Sequence, residues 1–237
     1  MDIFNTSVKI YNLDLTKPKK DDIEFPFNVE ICITRIPIRN KDGYTNKMMK
    51  AFAKKLKASM VQNGIVFLIC YGPVENKGRP FDVATIMLKE GFKLVDTIIC
   101  EKSWLPGKRT ESNLVNAFDY VFYFCNGEVW SLDRTPIREY LKTDSDITCP
   151  GNVWKIKTGS LEDSYSFDLS YLLIKMTACL PGSLIFEPFM SSRYSLMTAL
   201  ELGHSFIGFE PKVSKMKEYN KILNTYNTNK EGETNDV

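Results

Sequence analysis

The sequence predicts an α/β fold, with one domain built on a mostly parallel sheet and helices on both faces. From Ile23 onward, short β-branched apolar runs alternate with segments of helical periodicity, which is typical of a parallel sheet. A composition of 43% apolar and 25% charged residues is ordinary for a globular protein and excludes a disordered, collagen-like or coiled-coil chain. A length of 237 residues is enough to bury one large core.

The first half of the chain contains four predicted strands and two predicted helices. Residues 29–34 (VEICIT) are short, apolar and β-branched, as in a buried strand. Apolar residues then recur at helical spacing from Met49 to Met60, with lysines on the opposite face, and Asn63-Gly64 is expected to end that helix. The other predicted elements of this half are a strand at 65–70, a helix at 82–90, a strand at 92–100 and a strand at 117–125.

The second half repeats the pattern after two irregular stretches. Residues 101–116 are polar and residues 127–151 have little periodicity, so both are predicted to be DNA-facing or irregular insertions. Helices are predicted at 168–180, 194–202 and 213–223, and strands at 183–186 and 205–209. The domain is expected to span residues 23–223, between an N-terminal extension (1–22) and a polar tail (224–237) that we expect to be disordered.

Charge and cysteine content limit the kinds of binding site that we expect in this chain. Lysine and arginine number 31 against 29 acidic residues, so any nucleic-acid-binding surface must come from local clustering of charge. Cys32, Cys70, Cys100 and Cys125 lie in apolar runs, as reduced thiols packed as small hydrophobes do. The lone His204 and the lack of close cysteine pairs predict no metal site. The chain lacks a secretory signal and any apolar run long enough to span a membrane, so we expect a soluble, cytoplasmic protein.

Three loops at the carboxyl ends of predicted strands are candidates for a binding site. In open α/β sheets, ligands bind at this edge, near the point where the strand order reverses. The loops follow Thr34, Phe186 and Phe209, and the last two begin with Glu187 and Glu210. An acidic residue that ends the second strand of a nucleotide-binding fold commonly accepts the ribose hydroxyls. Glu210 is therefore the candidate ribose acceptor.

Residues 199–210 (ALELGHSFIGFE) resemble the Ala-x-x-Leu-Gly-Arg-x-Phe-Ile-Gly-x-Glu stretch of the β-class (permuted) DNA amino-methyltransferases, which modify adenine N6 or cytosine N4. The family's cofactor signature, roughly Leu-Asp-Pro-Phe-x-Gly-Ser-Gly-Thr-Thr, corresponds to the segment that begins at Glu187. Residues 116–120 (NAFDY) resemble its Asn-x-x-Glu-Tyr, and residues 153–154 its Val-Trp. The motifs keep the family's order over residues 28–223, so the resemblance implies a Rossmann-like, S-adenosylmethionine-dependent methyltransferase fold.

The catalytic motif of the resembled family, Asp/Ser-Pro-Pro-Tyr, aligns with Arg35, Ile36, Pro37 and Ile38. In the family, the first residue accepts a hydrogen bond from the target amino group and the aromatic residue stacks on the flipped base. Arg35 has only donors, and Ile38 has no π face. The motif is therefore degenerate by this comparison, and no catalytic residues are expected.

The cofactor loop departs from the family's pattern as well. The family's glycines let the backbone approach S-adenosylmethionine closely, and Ser191 and Arg193 stand at those positions here. Glu187, Phe189, Ser191, Arg193 and Glu210 are thus interpreted as a vestigial cofactor pocket. We expect no bound cofactor, or S-adenosylmethionine if the pocket is open. We expect Arg193 to fill the pocket by pairing with Glu187 or Glu210.

The predicted function is that of a pseudo-methyltransferase, an inactive scaffold that binds nucleic acid or protein. The expected partners are double-stranded DNA, a second copy of the chain, or an active methyltransferase-like or other DNA-processing protein, with no membrane. The residues expected to contact DNA are Arg35, Arg39, Lys102, Trp104, Lys108 and Arg109. An ordinary exposed loop explains residues 102–109 equally well.

Two alternative functions stay open. A divergent but active DNA N6-adenine/N4-cytosine methyltransferase would need another acceptor, such as Asp42 or Asp119, and would have to move Arg193 aside. It must also bind S-adenosylmethionine, whereas a scaffold need not. A protein-only interaction module is the other alternative, and salt-dependent DNA binding would count against it. A phage or mobile-element source would suit a decayed modification gene.

Overall fold

The computed structural model describes residues 6–17, 23–39, 43–73, 76–102, 114, 116–128, 132–142, 150–156 and 165–234. The strands in this part of the chain are β1 (Val8–Tyr11), β2 (Val29–Arg35), β3 (Met60–Cys70), β4 (Lys93–Glu101), β5 (Phe118–Cys125), β6 (Val153–Lys155), β7 (Leu184–Glu187) and β8 (Ser205–Phe209). The helices are α1 (Asn46–Ser59), α2 (Arg79–Lys89), α3 (Thr135–Leu141), α4 (Phe167–Met176), α5 (Tyr194–Glu201) and α6 (Val213–Thr234).

These strands form one sheet in the order β1-β8-β7-β2-β3-β5-β4-β6. All neighbouring pairs are parallel except those of β5, which runs antiparallel to β3 and β4. The predicted α/β class with a mostly parallel sheet is therefore confirmed. From the adjacent strands β7 and β2, the chain continues outward to β8 on one side and to β3 on the other. The strand order reverses between β7 and β2, and ligands bind at the carboxyl ends of such a pair.

Side chains that alternate along the central strands fill a separate core on each face of the sheet. In β2, Ile31 and Ile33 contribute to one core, whereas Cys32 contributes to the other. Helices α3, α4 and α5 cover the first face, and α1 and α2 cover the second. Each buried aliphatic side chain stabilises the fold by about 1.5–3 kcal/mol. The two cores together therefore hold the strands in place, and with them the residues at the sheet edge.

The boundary between α1 and β3 differs from the prediction. The Thr45 hydroxyl caps α1 by accepting from the Met48 amide at 3.0 Å, and the helix ends at Ser59 rather than at Asn63-Gly64. Gly64 instead lies within β3. A Cβ on Gly64 would stand 3.1 Å from the carbonyl oxygen of Val29 on the neighbouring strand. The glycine therefore lies at a close approach of two strands and does not terminate a helix.

Helix α3, strand β1 and the second half of α6 occur where no helix or strand was predicted. Helix α3 lies within residues 127–151. Its residue Ile137 is fully buried and attaches the helix to the core. Strand β1 pairs with β8, so the N-terminal extension contributes to the sheet. Helix α6 continues to Thr234, through most of the expected disordered tail, and the Tyr226 hydroxyl anchors it by donating to the Leu200 carbonyl at 3.2 Å.

The cysteines of the described residues carry free thiols. Cys32, Cys70, Cys100 and Cys125 are buried, as predicted, and Cys179 is half-buried. Burial raises the pKa of the Cys32, Cys70 and Cys100 thiols, because the thiolate is poorly solvated in an apolar core. None of the helices in the described ranges is both long enough and apolar enough to cross a lipid bilayer.

Candidate functional site

The carboxyl edge of the sheet collects polar side chains from several neighbouring strands. Side chains alternate between the faces of a strand, so the residues two positions beyond Ile185 and Ile33 share the face of those core residues. The residues placed on this face at the edge are Glu187 from β7, Arg35 from β2, Lys102 after β4 and Asp119 from β5. Tyr71 follows β3 at the same edge and packs against the core of the opposite face. Glu210 follows β8 at the same edge. The predicted loops therefore do meet in one region.

Glu187 is fully buried at the end of β7. The Tyr165 hydroxyl donates to its Oε1 at 2.7 Å, and the Ser195 hydroxyl contacts its Oε2. Burial raises the pKa of Glu187 to about 8, although these hydroxyl donors act in the opposite direction. Both oxygens are therefore occupied by partners from the same chain, and near neutral pH the group carries a proton.

Glu210 is also buried, and it too is satisfied from within the chain. The backbone amide of Lys212 donates to Oε1 at 2.8 Å, and the Tyr219 hydroxyl donates to Oε2 at 3.1 Å. The side-chain amide of Asn12 donates to the Glu210 carbonyl at 2.9 Å. The candidate ribose acceptor is thus held by α6 and by the segment after β1, neither of which the sequence had linked to it.

The prediction that Arg193 pairs with Glu187 or Glu210 is wrong. Arg193 Nη1 lies 2.6 Å from Glu218 Oε1, and the guanidinium lies over the Tyr194 ring at 5.3 Å. The side chain is 39% exposed, because α6 presents Glu218 on the outer side of the loop. Arg193 therefore does not fill a pocket between the two buried acids.

The rest of the cofactor-like loop is fixed to β2. The Thr34 hydroxyl accepts from the Phe189 amide at 3.2 Å and lies 3.3 Å from the Phe189 carbonyl. Phe189 is buried against Phe52 with ring centroids 5.1 Å apart, which is the environment of a core residue. Lys215 of α6 donates to the Ser191 carbonyl at 3.3 Å. The predicted loop residues are brought together, but by packing and internal hydrogen bonds.

The motif at the end of β2, residues 35–38, places both of its isoleucine side chains in the core. The Ile36 amide donates to the Ile69 carbonyl at 3.1 Å, which extends the pairing with β3 beyond Arg35. Ile36 and Ile38 are 1% and 0% exposed, and both belong to the core under α1 and α2. The Ile38 carbonyl accepts from Arg79 at 2.8 Å. The fourth position of the motif is thus a core residue and presents no side chain to the edge.

Cationic side chains surround one aromatic ring beside this motif. Tyr71 has Arg35 at 5.0 Å, Arg39 at 5.3 Å and Lys102 at 5.7 Å from its ring centroid. Asp119 lies between two of the cations, with Oδ1 2.9 Å from Lys102 Nζ and Oδ2 3.5 Å from Arg35 Nη1. We call these five residues the Tyr71 cluster. It contains three of the residues predicted to bind DNA.

Tyr71 was not predicted to belong to the site. Its position directly after a buried strand, as for Arg35, does indicate that it lies at this edge of the sheet. Asp119, one of the two alternative acceptors, does approach the motif. The other alternative acceptor and the remaining predicted DNA contacts lie outside the described residues; they are Asp42, Trp104, Lys108 and Arg109.

Comparison with known proteins gives a consistent result. The family profile N6_N4_Mtase, described as DNA methylase, matches residues 29–223. The crystal structure of M1.HpyAVI matches with a TM-score of 0.64 and 18% identity over 92% of this chain and 98% of that one. The M1.HpyAVI–SAM complex has a TM-score of 0.64 and 16% identity over 90% and 98%. The cytosine-N4-specific PvuII DNA methyltransferase has a TM-score of 0.68 and 16% identity over 88% and 83%.

At identities of 16–18%, the similarity to these solved structures shows that the fold is shared and nothing more. The family profile matches residues 29–223 and therefore shows the family. No curated protein matches the chain in sequence. The resemblance seen in the sequence motifs and the methyltransferase-type fold expected from it are both confirmed.

Proposed function

The chain belongs to the N6/N4 DNA methylase family, and from that premise we propose that it is a catalytically inactive member that serves as a DNA-binding scaffold. The observation that carries the proposal is the environment of Arg35. This cation stands where the resembled enzymes hold an acceptor for the target amino group, and it faces Asp119 at 3.5 Å. A guanidinium offers donors only, so it repels an amine N–H instead of accepting it.

Methyl transfer to an exocyclic amine also needs the base held in place while a proton leaves the nitrogen. The resembled enzymes use an aromatic residue at the fourth motif position, and Ile38 here is fully buried and aliphatic. Neither the acceptor nor the stacking surface is present at the motif. This supports the loss of catalysis at this position.

The residues at the cofactor end do not fit S-adenosylmethionine. The positive end of this molecule and its ribose need a close backbone approach and an accessible carboxylate. Ser191 and Arg193 carry side chains where the family has glycines. The carboxyl groups of Glu187 and Glu210 are buried, and their oxygens contact Tyr165, Ser195, Lys212 and Tyr219 of the same chain. We therefore propose that these positions are a vestigial pocket.

DNA binding is supported by the cationic side chains at the same edge. Arg35, Arg39 and Lys102 lie together there, and we propose that Trp104, Lys108 and Arg109 extend this surface. Phe81 and Leu88 are exposed two turns apart on one face of α2, which supports a protein interface for a second copy or a partner subunit. Light scattering of the parent and of a Phe81→Glu/Leu88→Glu variant tests that interface.

Calorimetric titration with S-adenosylmethionine tests the loss of the cofactor site. We expect no heat from the parent protein, and no methyl incorporation into duplex DNA from labelled cofactor. A Ser191→Gly/Arg193→Gly variant restores the family's glycines and is the positive arm, with circular dichroism as the folding control. Micromolar binding by the parent together with methyl transfer would overturn the proposal.

Asp119 favours the second candidate, a divergent active methyltransferase. Its carboxylate lies beside the motif and is an acceptor of the type the reaction needs. In that case the parent would methylate DNA and Asp119→Asn would abolish the activity. Absence of activity in both proteins would eliminate this candidate.

A further inference from the structure

We propose that the exposed face of helix α1 binds the phosphate backbone of DNA and extends the surface at the carboxyl edge over one face of the sheet. Three exposed lysines carry this contact, Lys47, Lys50 and Lys54, which we call the α1 stripe. The inference goes beyond the proposed function by assigning a second set of DNA contacts, and it rests on that function for the choice of DNA as the polyanion.

The helical repeat places the three lysines in one row. At about 100° per residue, Lys47, Lys50 and Lys54 lie within about 60° of one another around the helix axis, and at 1.5 Å per residue they span about 10 Å along it. Phe52 and Leu56 lie on the opposite side of α1 and are buried in the core. The core therefore fixes the direction in which the row faces.

The α1 stripe is not neutralised from within the part of the chain that the structure describes. Helix α1 contains five lysines and no acidic residue. Two of the five are engaged by carbonyl groups, since Lys55 donates to Ile23 at 3.2 Å and Lys57 donates to Gly91 at 2.7 Å. Among the described residues, no ion pair or hydrogen bond holds the side chains of the other three. Their charges are therefore available to a partner.

This concentration of positive charge is local to α1. Over the whole chain, 31 cationic residues are balanced by 29 acidic ones. Each of the other helices in the described ranges contains at least one acidic residue. Like charges three or four residues apart on a helix repel one another, so an anion that lies along the stripe relieves this repulsion. A row of cations along one helix is a typical footprint of nucleic-acid binding.

The rest of the exposed surface of α1 favours a phosphate backbone over a membrane or a protein. Its other exposed residues are Asn46, Ala51 and Ala58. The large apolar side chains of α1 face the core, so the helix has no apolar face to insert into lipid. It also lacks the exposed aromatic and arginine side chains that anchor protein interfaces. Contacts to DNA phosphates need only the charge, which lysine supplies as a compact point charge.

The α1 stripe is continuous with the carboxyl edge. Strands β2 and β3 are parallel, so α1 leads from the carboxyl end of β2 to the amino end of β3. Lys47, in the first turn, therefore lies near the carboxyl edge, and Lys54 lies farther from it. The Tyr44 amide, just before the N-cap, donates to the Arg39 carbonyl at 3.2 Å. This bond ties the start of α1 to one of the cations proposed to bind DNA at that edge.

Fluorescence anisotropy with a labelled DNA duplex, in a salt series, tests the α1 stripe. Each phosphate contact contributes about 0.9 to the slope of log K against log salt. We therefore expect Lys47→Gln/Lys50→Gln/Lys54→Gln to reduce that slope by about 2–3 and to weaken binding on the order of a hundredfold in 0.1 M salt. Lys47→Arg/Lys50→Arg/Lys54→Arg keeps the charges and should bind as the parent does.

The matched control is Lys175→Gln/Lys217→Gln/Lys221→Gln, which removes three exposed lysines from α4 and α6. It has the same net charge as the glutamine variant of the α1 stripe and should keep most of the parent's salt slope. Two duplexes of unrelated sequence should lose affinity equally in the stripe variant, because phosphate contacts carry no sequence information.

The outcomes separate this inference from the proposed function. If the parent binds DNA and the stripe variant keeps the affinity and salt slope of the control, the α1 stripe is refuted and the DNA-binding scaffold stands. If the parent binds no DNA, both proposals fail. Because Phe81 and Leu88 are exposed on the neighbouring helix α2, vesicles of anionic phospholipid are the second probe. Vesicle binding that the stripe variant loses, without DNA binding by the parent, would assign the stripe to a membrane surface and overturn the assignment to DNA.

Discussion

The Glu187→Gln variant should be more stable than the parent protein at high pH and equally stable at low pH. Gln has the shape of a protonated carboxyl group, with one oxygen that accepts and one group that donates, so it can keep both contacts with Tyr165 and Ser195. Unlike Glu187, it never acquires a charge in the core. The variant therefore isolates the free-energy cost of ionising this one side chain.

The size of the effect follows from the pKa. Burial raises the pKa of Glu187 from its ordinary value of 4.5 to about 8. Between these values the folded state holds a proton that the unfolded state has released, so stability falls as the pH rises through this range. At about 1.4 kcal/mol per pH unit, the ionised carboxylate costs on the order of 5 kcal/mol above pH 8. Below pH 4.5, both states are protonated and the cost disappears.

Urea unfolding at pH 4.5, 6, 7.5 and 9 measures the difference between variant and parent, in which the other titrating groups cancel. We expect that difference to grow from pH 4.5 to about pH 8 and to level off above it. Glu201→Gln, the same change at an exposed position of α5, is the control and should give a flat difference. A flat difference for Glu187→Gln as well would refute the reasoning, because it would mean that Glu187 is ionised at no cost.

Three further predictions concern the residues around the site. Tyr219→Phe removes the hydroxyl that donates to Glu210 at 3.1 Å and should lower the free energy of unfolding by about 1–3 kcal/mol in urea titrations; an unchanged value would mean that the bond contributes nothing. Ile38→Ala should cost about 2–5 kcal/mol because the side chain is fully buried, whereas Val213→Ala, at an exposed position, should cost less than about 0.5 kcal/mol. Cys70 should stay unmodified by a thiol reagent at pH 8 in the native protein and react only after unfolding, because burial raises its thiol pKa; rapid native labelling, mapped by mass spectrometry, would contradict this.

The predictable parts of the fold are those with a strong local pattern. The strand at 205–209 was predicted with its observed bounds, because an apolar run between Gly203 and a charged residue leaves little ambiguity. Strand β1 could not be predicted this way. Its four residues become a strand only by pairing with β8, which lies nearly two hundred residues further along the chain, and no local pattern encodes such a pairing.

The candidate site likewise contains residues that the sequence predicts and contacts that it does not. Glu187, Glu210 and Arg35 could be located from the sequence, because each one follows a predicted strand. Their partners could not, because they come from elements distant in sequence. Glu218 of α6 is the partner of Arg193, and the Tyr71 ring is contacted by cations from two separate segments, one at the end of β2 and one after β4. A sequence pattern places a side chain at an edge, while its contacts depend on how whole elements pack.

The pairing of β1 with β8 has a consequence for how the protein is made on the ribosome. The Phe206 amide donates to the Ser7 carbonyl at 2.9 Å, so the segment that contains β1 completes its hydrogen bonds only after β8, far along the chain, has emerged. Strands β2, β3, β4 and β5 are synthesised earlier and can assemble while translation continues. The half that carries Glu187 and Glu210 must wait until β7 and β8 have emerged, and until then β2 has an unpaired edge. A nascent chain that stalls before β7 would thus expose an aggregation-prone strand, and folding factors that shield such edges would act during that interval.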